Sequence, residues 1–282
     1  MPVSSPSPIT HITSKRNKRI QRVRSVRDGR VDSLIFLEGS KLAGESLAAG
    51  LEADGVIVSD SFLKEESNQD FVLTNFGSAP EGILAVPAWL MKDLSSVQTP
   101  PGIIVLANKP SGLDRRLPDG CDFVVILNQL QDPGNLGSIL RSAEAAGAGA
   151  AVVTANSADP LRPKALRGSM GASLRLPVWN GAGLAEAMDE CHRIGMQVFA
   201  TSPRNAQSYW DVDWKQPCAV LLGGEGGGLS EEEIAACDGR VQIPMAGECE
   251  SLNVSAAAAL IFFEIARQRM CEPNEQPVSS IQ

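Results

Sequence analysis

Short apolar runs alternate with helix-length segments through the second half of the chain, and this pattern limits the folds available to it. The predicted elements are a strand at 123–127, a helix from 138, a strand at 150–154, a helix around 183–194, strands at 196–201, 219–222 and 240–245, and a closing helix from 254 to about 269. Such alternation is typical of a mainly parallel sheet covered on both faces. We therefore expect an α/β fold, with the strongly apolar closing helix nearly surrounded by protein.

The first part of the chain has a similar but smaller pattern. Apolar runs occur at 34–37, 55–58, 83–86 and 103–106, with helical spacing between 39 and 51. A length of 282 residues suggests two domains. The predicted division is a basic arm at 1–30, a small α/β domain at 31–108, a linker at 109–120, a second domain at 121–271 and a disordered tail at 272–282.

Positive charge is concentrated at the start of the sequence. The net charge of −8 argues against a nucleic-acid-binding protein, but residues 1–30 carry eight Lys and Arg against one Asp. That segment has a net charge of +7, and the rest of the chain has −15. Two interpretations of the arm stay open, a solvated disordered tail or a segment that binds phosphates.

Several classes of protein are disfavoured by the sequence. No apolar run approaches the length that crosses a bilayer, so we expect no membrane role. The first residues lack the apolar core of a secretory signal, which favours the cytoplasm, although their Ser and Arg content also suits an organelle transit peptide. The six cysteines form no C-x-x-C pair, and neither His11 nor His192 completes a zinc pattern, so we expect no metal.

Three polar loops follow predicted strands, where ligand sites of α/β proteins lie. The first, 127–138, leads into a helix that carries Arg141, although turn formation alone would explain its Asp-Pro-Gly sequence. The second, 222–230, is rich in glycine but lacks the Lys-Ser/Thr of a phosphate-binding P-loop. Its Ser230 and Glu233 predict a capping box for the next helix. The third, 243–255, contains serines and an asparagine that also suit a helix start.

Together, the three loops resemble a known set of motifs in both order and spacing. The chain resembles the SpoU/TrmH RNA ribose 2′-O-methyltransferases of the SPOUT superfamily. The residues that carry this resemblance are Asn135-x-Gly137-x-x-x-Arg141, Gly223-Gly224-Glu225-Gly226-x-Gly228-Leu229, and Ile243-Pro244-Met245 with Ser251-Leu252-Asn253-Val254-Ser255. The first domain is less specifically similar to the RNA-binding domain of ribosomal-protein type found in this family, through Ser14-Lys15-Arg16-Asn17, Leu37-Glu38-Gly39 and 82–86.

The resemblance implies a fold and a function. The fold would be a C-terminal SPOUT domain with a trefoil knot, an exception to the rule against knotted chains. The function would be transfer of a methyl group from S-adenosylmethionine (AdoMet) to a ribose 2′-hydroxyl by a homodimer, with ribosomal RNA of the 23S type as the expected substrate. Transfer RNA as the substrate, a catalytically inactive RNA-binding protein of the same fold, and an AdoMet enzyme with a small-molecule substrate are the alternatives.

The resemblance also assigns roles to individual residues. The catalytic positions would be Arg141, Asn135, Glu225, Ser251 and Asn253. The cofactor-binding positions would be Gly223, Gly224, Ile243, Met245, Leu252 and Asn253. RNA would be bound by Lys15, Arg16, Arg19 and Arg167.

The arginine of the first motif is sometimes regarded as a general base in this family. Removing a guanidinium proton at pH 7 would cost roughly 8 kcal/mol. We therefore expect Arg141 to hold an RNA phosphate instead, with that phosphate or a water molecule accepting the proton of the ribose hydroxyl.

Overall fold

The computed structural model describes residues 9–112 and 115–270, and its first part is a five-stranded sheet covered by helices. The elements are β1 (Thr10–His11), α1 (Lys18–Arg27), β2 (Leu34–Glu38), α2 (Ser40–Ala48), β3 (Ala53–Ser59), α3 (Glu66–Phe76), β4 (Ile83–Val86), α4 (Ala88–Leu94) and β5 (Ile103–Asn108). The sheet order is β1-β4-β3-β5-β2. Strands β1, β3 and β4 are parallel, and β5 is antiparallel to both β2 and β3.

The basic segment is part of this first domain from residue 9 onward, rather than a separate arm. Strand β1 extends the sheet by pairing with β4, and α1 buries Ile20, Val23 and Val26 in a core beneath the sheet. Helix α1 begins after Asn17, whose side chain accepts a hydrogen bond from the Arg19 amide at 2.8 Å. Residues 1–8 of the predicted arm lie outside the described part of the chain.

The second part is a seven-stranded parallel sheet. Its elements are β6 (Phe123–Leu127), α5 (Pro133–Ala145), β7 (Ala150–Thr154), α6 (Pro163–Ser169), α7 (Ala172–Arg175), β8 (Val178–Ala182), α8 (Leu184–Arg193), β9 (Gln197–Thr201), β10 (Gln207–Ser208), β11 (Cys218–Leu222), α9 (Glu231–Ala235), β12 (Gly239–Gln242) and α10 (Val254–Met270). The order is β10-β12-β9-β11-β6-β7-β8, with parallel pairing throughout. The predicted α/β fold with a mainly parallel sheet is confirmed.

Two boundaries in the second domain differ from the prediction by three residues or more, each for a local reason. Helix α5 begins at Pro133, five residues before the predicted start, because the Asp132 side chain caps it by accepting hydrogen bonds from the amides of Gly134 and Asn135. Strand β12 ends at Gln242, before Pro244, a residue that cannot donate to a sheet ladder.

Helix α10 follows its predicted bounds but is not surrounded by protein within the single chain. Phe262 and Ile265 are buried in the core that the sheet shares with α5, whereas Leu260 is 44% exposed and Phe263 is 52% exposed. An apolar strip of this helix is therefore uncovered. The predicted tail at 272–282 lies outside the described residues.

Helix α6 joins the two domains. Leu166 is fully buried, yet it packs in the core of the first domain rather than in its own. The neighbouring Arg167 donates a hydrogen bond of 2.5 Å to Ser96 Oγ, and Ser96 in turn donates to the buried carboxylate of Glu38. Because α6 also packs against α5, this helix connects the first domain to the start of α5. None of the helices in the described ranges has the length and hydrophobicity needed to cross a lipid bilayer.

Candidate functional site

Four loops meet at one edge of the parallel sheet. Strands β12, β9, β11 and β6 are consecutive neighbours, so the loops that follow them all leave from their carboxyl ends. The loops after β9, β11 and β12 enclose a cavity of about 880 Å³, and the loop after β6 lies beside it, where its backbone amides bond to Glu225. This volume is within the range of pockets that bind small molecules and cofactors.

The residues that the sequence predicts to bind a cofactor all line this cavity. They are Gly223, Gly224, Ile243, Met245, Leu252 and Asn253. Three of the five predicted catalytic residues, Glu225, Ser251 and Asn253, line it as well. The structure thus brings the second and third motif loops to one cavity, while the roles of the individual residues stay predictions.

Asn135 links the first motif to the other two. Its side-chain Nδ2 donates to Glu225 Oε1 at 3.0 Å, and its Oδ1 accepts a hydrogen bond of 3.3 Å from Asn253 Nδ2. Asn253 is itself held by two hydrogen bonds that its Oδ1 accepts from the amide and hydroxyl of Ser255. Three residues far apart in sequence therefore form one chain of hydrogen bonds at the edge of the cavity.

The carboxylate of Glu225 is positioned by the first motif loop. Besides the bond from Asn135, it accepts hydrogen bonds from the amides of Gln131 at 3.1 Å and Asp132 at 3.2 Å. Partial burial opposes ionisation, but these hydrogen bonds outweigh it and hold the pKa of Glu225 below its ordinary value. The cavity edge consequently carries a fixed negative charge at neutral pH.

Asp132 organises the start of α5, where Asn135 lies. Its Oδ1 caps the helix, and its Oδ2 accepts a hydrogen bond of 2.5 Å from Lys164 of α6. That hydrogen bond is the main reason that the pKa of Asp132 is lowered. Lys164 therefore supports, through Asp132, the backbone that carries Asn135.

Two glycines of the second loop are required by close packing of the backbone. A Cβ atom on Gly223 would lie 2.4 Å from the carbonyl carbon of Gly228, and one on Gly224 would lie 2.4 Å from the carbonyl oxygen of Gln129. By contrast, Gly226 and Gly227 face open space. After this loop, the predicted capping box of Ser230 and Glu233 is confirmed at the start of α9.

Arg141 does not lie among the residues that line the cavity. It is six positions beyond Asn135 on α5, which places it about 9 Å further along the helix and about 120° around it. Its side chain is exposed, and within 9–112 and 115–270 no residue forms a hydrogen bond or ion pair with its guanidinium. The guanidinium is thus free to bind an external group.

Three of the four predicted RNA-binding residues have partners within the chain. Lys15 pairs with Asp93 at 2.7 Å, Arg19 pairs with Glu81 at 3.2 Å, and Arg167 bonds to Ser96 between the domains. Arg16 is exposed, and no described side chain pairs with it.

One part of the cavity wall was missed by the sequence analysis. The last residue of β9, Thr201, and the loop after it contribute to this part, the loop through Ser202, Pro203, Arg204 and Asn205. Arg204 Nη2 lies 3.6 Å from Glu250 Oε1, so this loop contacts the third motif loop across the mouth of the cavity. The polar residues after the predicted strand at 196–201 could have indicated a loop near a ligand site. Only the order of the strands in the sheet shows that this loop lies beside the second and third motif loops.

Comparison with known proteins identifies the family. Residues 122–263 match the model of the SpoU rRNA methylase family. An uncharacterised tRNA/rRNA methyltransferase from Synechocystis is 31% identical over 266 residues, covering 93% of this chain and 96% of that protein. The 23S rRNA (uridine(2479)-2′-O)-methyltransferase of Streptomyces viridochromogenes is 35% identical over 196 residues, covering 67% of this chain and 68% of that protein.

A solved structure has the same architecture over nearly the whole length. The SpoU methyltransferase AviRb from Streptomyces viridochromogenes, in complex with AdoMet, superposes with a TM-score of 0.81 and 28% identity, covering 91% of this chain and 99% of that chain. The similarity includes both domains. The chain belongs to the SpoU rRNA methylase family.

Proposed function

We propose that this protein is an AdoMet-dependent methyltransferase that modifies a ribose 2′-hydroxyl of ribosomal RNA. The observation that carries the proposal is the hydrogen-bonded chain of Asn135, Glu225 and Asn253 beside the cavity. Each of the three motifs supplies one member of this chain. A site assembled from all three motifs is expected of an active enzyme more than of a binding protein that has kept only the fold.

The lining of the cavity fits AdoMet. Leu222, Ile243 and Leu252 supply apolar walls that suit an adenine ring, and the loop from 223 to 228 exposes backbone for close polar contacts. The ionised carboxylate of Glu225 favours a cation nearby, as the sulfonium of AdoMet is. The similar AviRb structure contains AdoMet, which supports the same cofactor here.

In the proposed mechanism, bound AdoMet supplies a methyl group on a positively charged sulfur. The chain contributes alignment, because Asn135 and Asn253 present fixed polar groups that can orient the ribose, and alignment supplies much of the rate in such transfers. Arg141 holds an RNA phosphate through its planar guanidinium. Ser251 adds a hydroxyl at the cavity wall, and a phosphate oxygen or water takes the proton.

Ribosomal RNA is the preferred substrate in this proposal. The Streptomyces relative that is named for methylation of 23S rRNA shares 35% identity with this chain, and its similarity covers two thirds of both proteins. The first domain then serves as the RNA-binding domain, over 31–108 together with the basic residues before it. A cytoplasmic location accompanies this substrate.

A homodimer and a trefoil knot complete the proposal. The exposed Leu260 and Phe263 of α10 supply an apolar strip that a second copy would cover. The knot would be formed where the segment at 243–253 passes the loops at 201–205 and 223–229, with which it shares the cavity.

The function is tested by methyl transfer from tritiated AdoMet to ribosomal RNA purified from cells that lack the gene. We expect incorporation of label, and mapping of 2′-O-methyl groups should find a ribose that is modified only when the gene is present. Label on a base, or on transfer RNA alone, would contradict the proposed reaction or substrate.

A further inference from the structure

An exposed tryptophan in the first domain is not explained by the fold. Trp89 lies in the first turn of α4, directly after β4, and its side chain is 50% exposed. Its neighbours Leu90 and Met91 are buried and hold the helix on the core, so Trp89 itself is not needed for that packing. A single exposed apolar residue is ordinary on a protein surface, so its surroundings decide whether it marks a site.

The surroundings of Trp89 are cationic. Lys15 Nζ lies 5.6 Å from the centroid of the indole ring, a cation–π contact. Lys92 is three positions along the same helix and is exposed, which places it beside Trp89. Arg16, next to Lys15 in the chain, is also exposed, and among the described residues neither Arg16 nor Lys92 has a side-chain ion-pair partner.

The carboxylate of Asp93, which lies next to Lys92 in the chain, is neutralised by ion pairs. Asp93 pairs with Lys15 at 2.7 Å and with Arg24 at 2.5 Å. These hydrogen bonds hold the pKa of Asp93 below its ordinary value, so it remains ionised and paired. The surface formed by Lys15, Arg16, Trp89 and Lys92, here called the Trp89 patch, therefore has a positive net charge.

The Trp89 patch is connected to the methyltransferase domain by α4. This helix of seven residues spans about 10 Å, and Ser96, just beyond its end, accepts the hydrogen bond from Arg167. Arg167 belongs to α6, which packs against α5, the helix of Asn135 and Arg141. Trp89 is thus linked to the helix of Asn135 and Arg141 through two short helices, α4 and α6.

We propose that Trp89 is a stacking platform for an unpaired base of the RNA substrate, with Arg16 and Lys92 binding the flanking phosphates. The inference rests on the proposed function and adds the form of RNA that is recognised. Bases that stack on aromatic rings must be unpaired, and cations beside the ring follow the phosphate backbone. The chemistry therefore selects a loop, bulge or single strand over a continuous duplex.

The test compares Trp89→Ala and Trp89→Phe with a matched control, Trp210→Ala. Trp210 is 54% exposed but lies in the second domain. Fluorescence anisotropy would measure the affinity for a labelled single-stranded oligouridine and for a duplex of equal length. We expect Trp89→Ala to weaken single-strand binding about tenfold, with Trp89→Phe near the wild type and Trp210→Ala unchanged. Duplex binding should change little.

A second variant tests the phosphate contacts. Arg16→Ala with Lys92→Ala should lower the salt dependence of single-strand binding, reducing the slope of log affinity against log salt by about 1 to 2. Circular dichroism melting would verify that each variant is folded. Unchanged single-strand affinity in folded Trp89→Ala would overturn the proposal. An equal loss of affinity for the duplex would overturn it too. In either case an acidic protein partner would be the better occupant of the patch.

Methyl transfer separates this inference from the proposed function. With ribosomal RNA from cells that lack the gene, Trp89→Ala should raise the KM for RNA about tenfold and leave kcat nearly unchanged. If the wild type transfers no methyl group to any RNA, the proposed function fails. If the wild type is active and Trp89→Ala has the same KM, only the stacking platform fails.

Discussion

Asn253 Nδ2 and Asn135 Oδ1 lie 3.3 Å apart although 118 positions separate the two residues in sequence. The contact joins the start of α10 to the start of α5, and Asn135 extends it to Glu225. Both helices pack on the same face of the sheet, so the packing of α5 and α10 sets the distance between the two asparagines.

Asn135→Ala would remove the central member of this hydrogen-bonded chain. We expect kcat for methyl transfer to fall about 10- to 100-fold, because a hydrogen bond to the charged Glu225 is lost together with the contact to Asn253. The measurement is tritium transfer at saturating AdoMet. The control is Asn180→Ala, an exposed asparagine on the edge strand β8, which should retain activity. Equal activity of both variants would remove Asn135 from the site.

Arg141→Ala should abolish turnover while the affinity for AdoMet stays nearly intact. The side chain is exposed and lies outside the cavity, so its loss should change stability by less than about 0.5 kcal/mol. Titration calorimetry with AdoMet, beside the transfer assay, measures both effects. A large loss of cofactor affinity would show that Arg141 acts on AdoMet rather than on RNA.

Gly224→Ala and Gly227→Ala form a matched pair within one loop. A methyl group on Gly224 would meet the Gln129 carbonyl, whereas one on Gly227 meets no atom within 4 Å. We expect Gly224→Ala to lose about 1–3 kcal/mol of unfolding free energy, and Gly227→Ala to lose much less. Urea denaturation without cofactor gives both values. Similar losses would mean that the loop relaxes freely.

Glu190→Gln should change the response of stability to acid. Hydrogen bonds from Arg193, and then from the Leu117 amide, outweigh burial and lower the pKa of Glu190 to about 2. The folded pKa is below the ordinary value of 4.5, so the ionised carboxylate stabilises the protein above about pH 4.5 and this contribution disappears as the pH falls toward 2.

The glutamine variant should therefore lose about 2–3 kcal/mol at pH 7 and show a smaller further loss between pH 4.5 and 2 than the wild type. Chemical denaturation across this pH range measures the difference. Glu186→Gln, an exposed position on the same helix α8, is the control and should follow the wild type. Parallel pH profiles for wild type and Glu190→Gln would contradict this account.

Phe263→Asp tests the proposed dimer. Phe263 is 52% exposed on the apolar strip of α10, and a carboxylate there would be buried without a partner if two copies meet through this strip. We expect a monomer in sedimentation equilibrium, with the wild type dimeric. Trp89→Asp, at a similarly exposed aromatic position in the first domain, should remain dimeric. A dimer that persists in Phe263→Asp would place the interface elsewhere.

The central strands were predictable because local sequence decides them. Strands such as β6 and β11 are covered on both faces, so they appear as unbroken apolar runs. Helix α6 was not predicted, since its apolar face is short and is divided between α5 and the core of the first domain. Its partners are distant in sequence, and local periodicity does not reveal them.

In the basic segment, the high density of positive charge obscured a helical pattern of apolar residues. Eight cations suggested an arm, but Ile20, Val23 and Val26 recur at helical spacing among them and bury one face of α1.

The convergence of the three motif loops was predictable from the resemblance. The loop after β9 was not, because its residues belong to no motif and only the strand order brings it to the cavity.

Leu166 ties the second domain to the first, because it is buried among residues of the first domain. A methyltransferase half expressed alone would expose this leucine to water, at a cost of about 1.5–3 kcal/mol. Arg167 would also lose its contact with Ser96. Exchanging the first domain for that of a relative therefore calls for exchanging α6 as well, because Leu166 and Arg167 contact the first domain although they belong to the second.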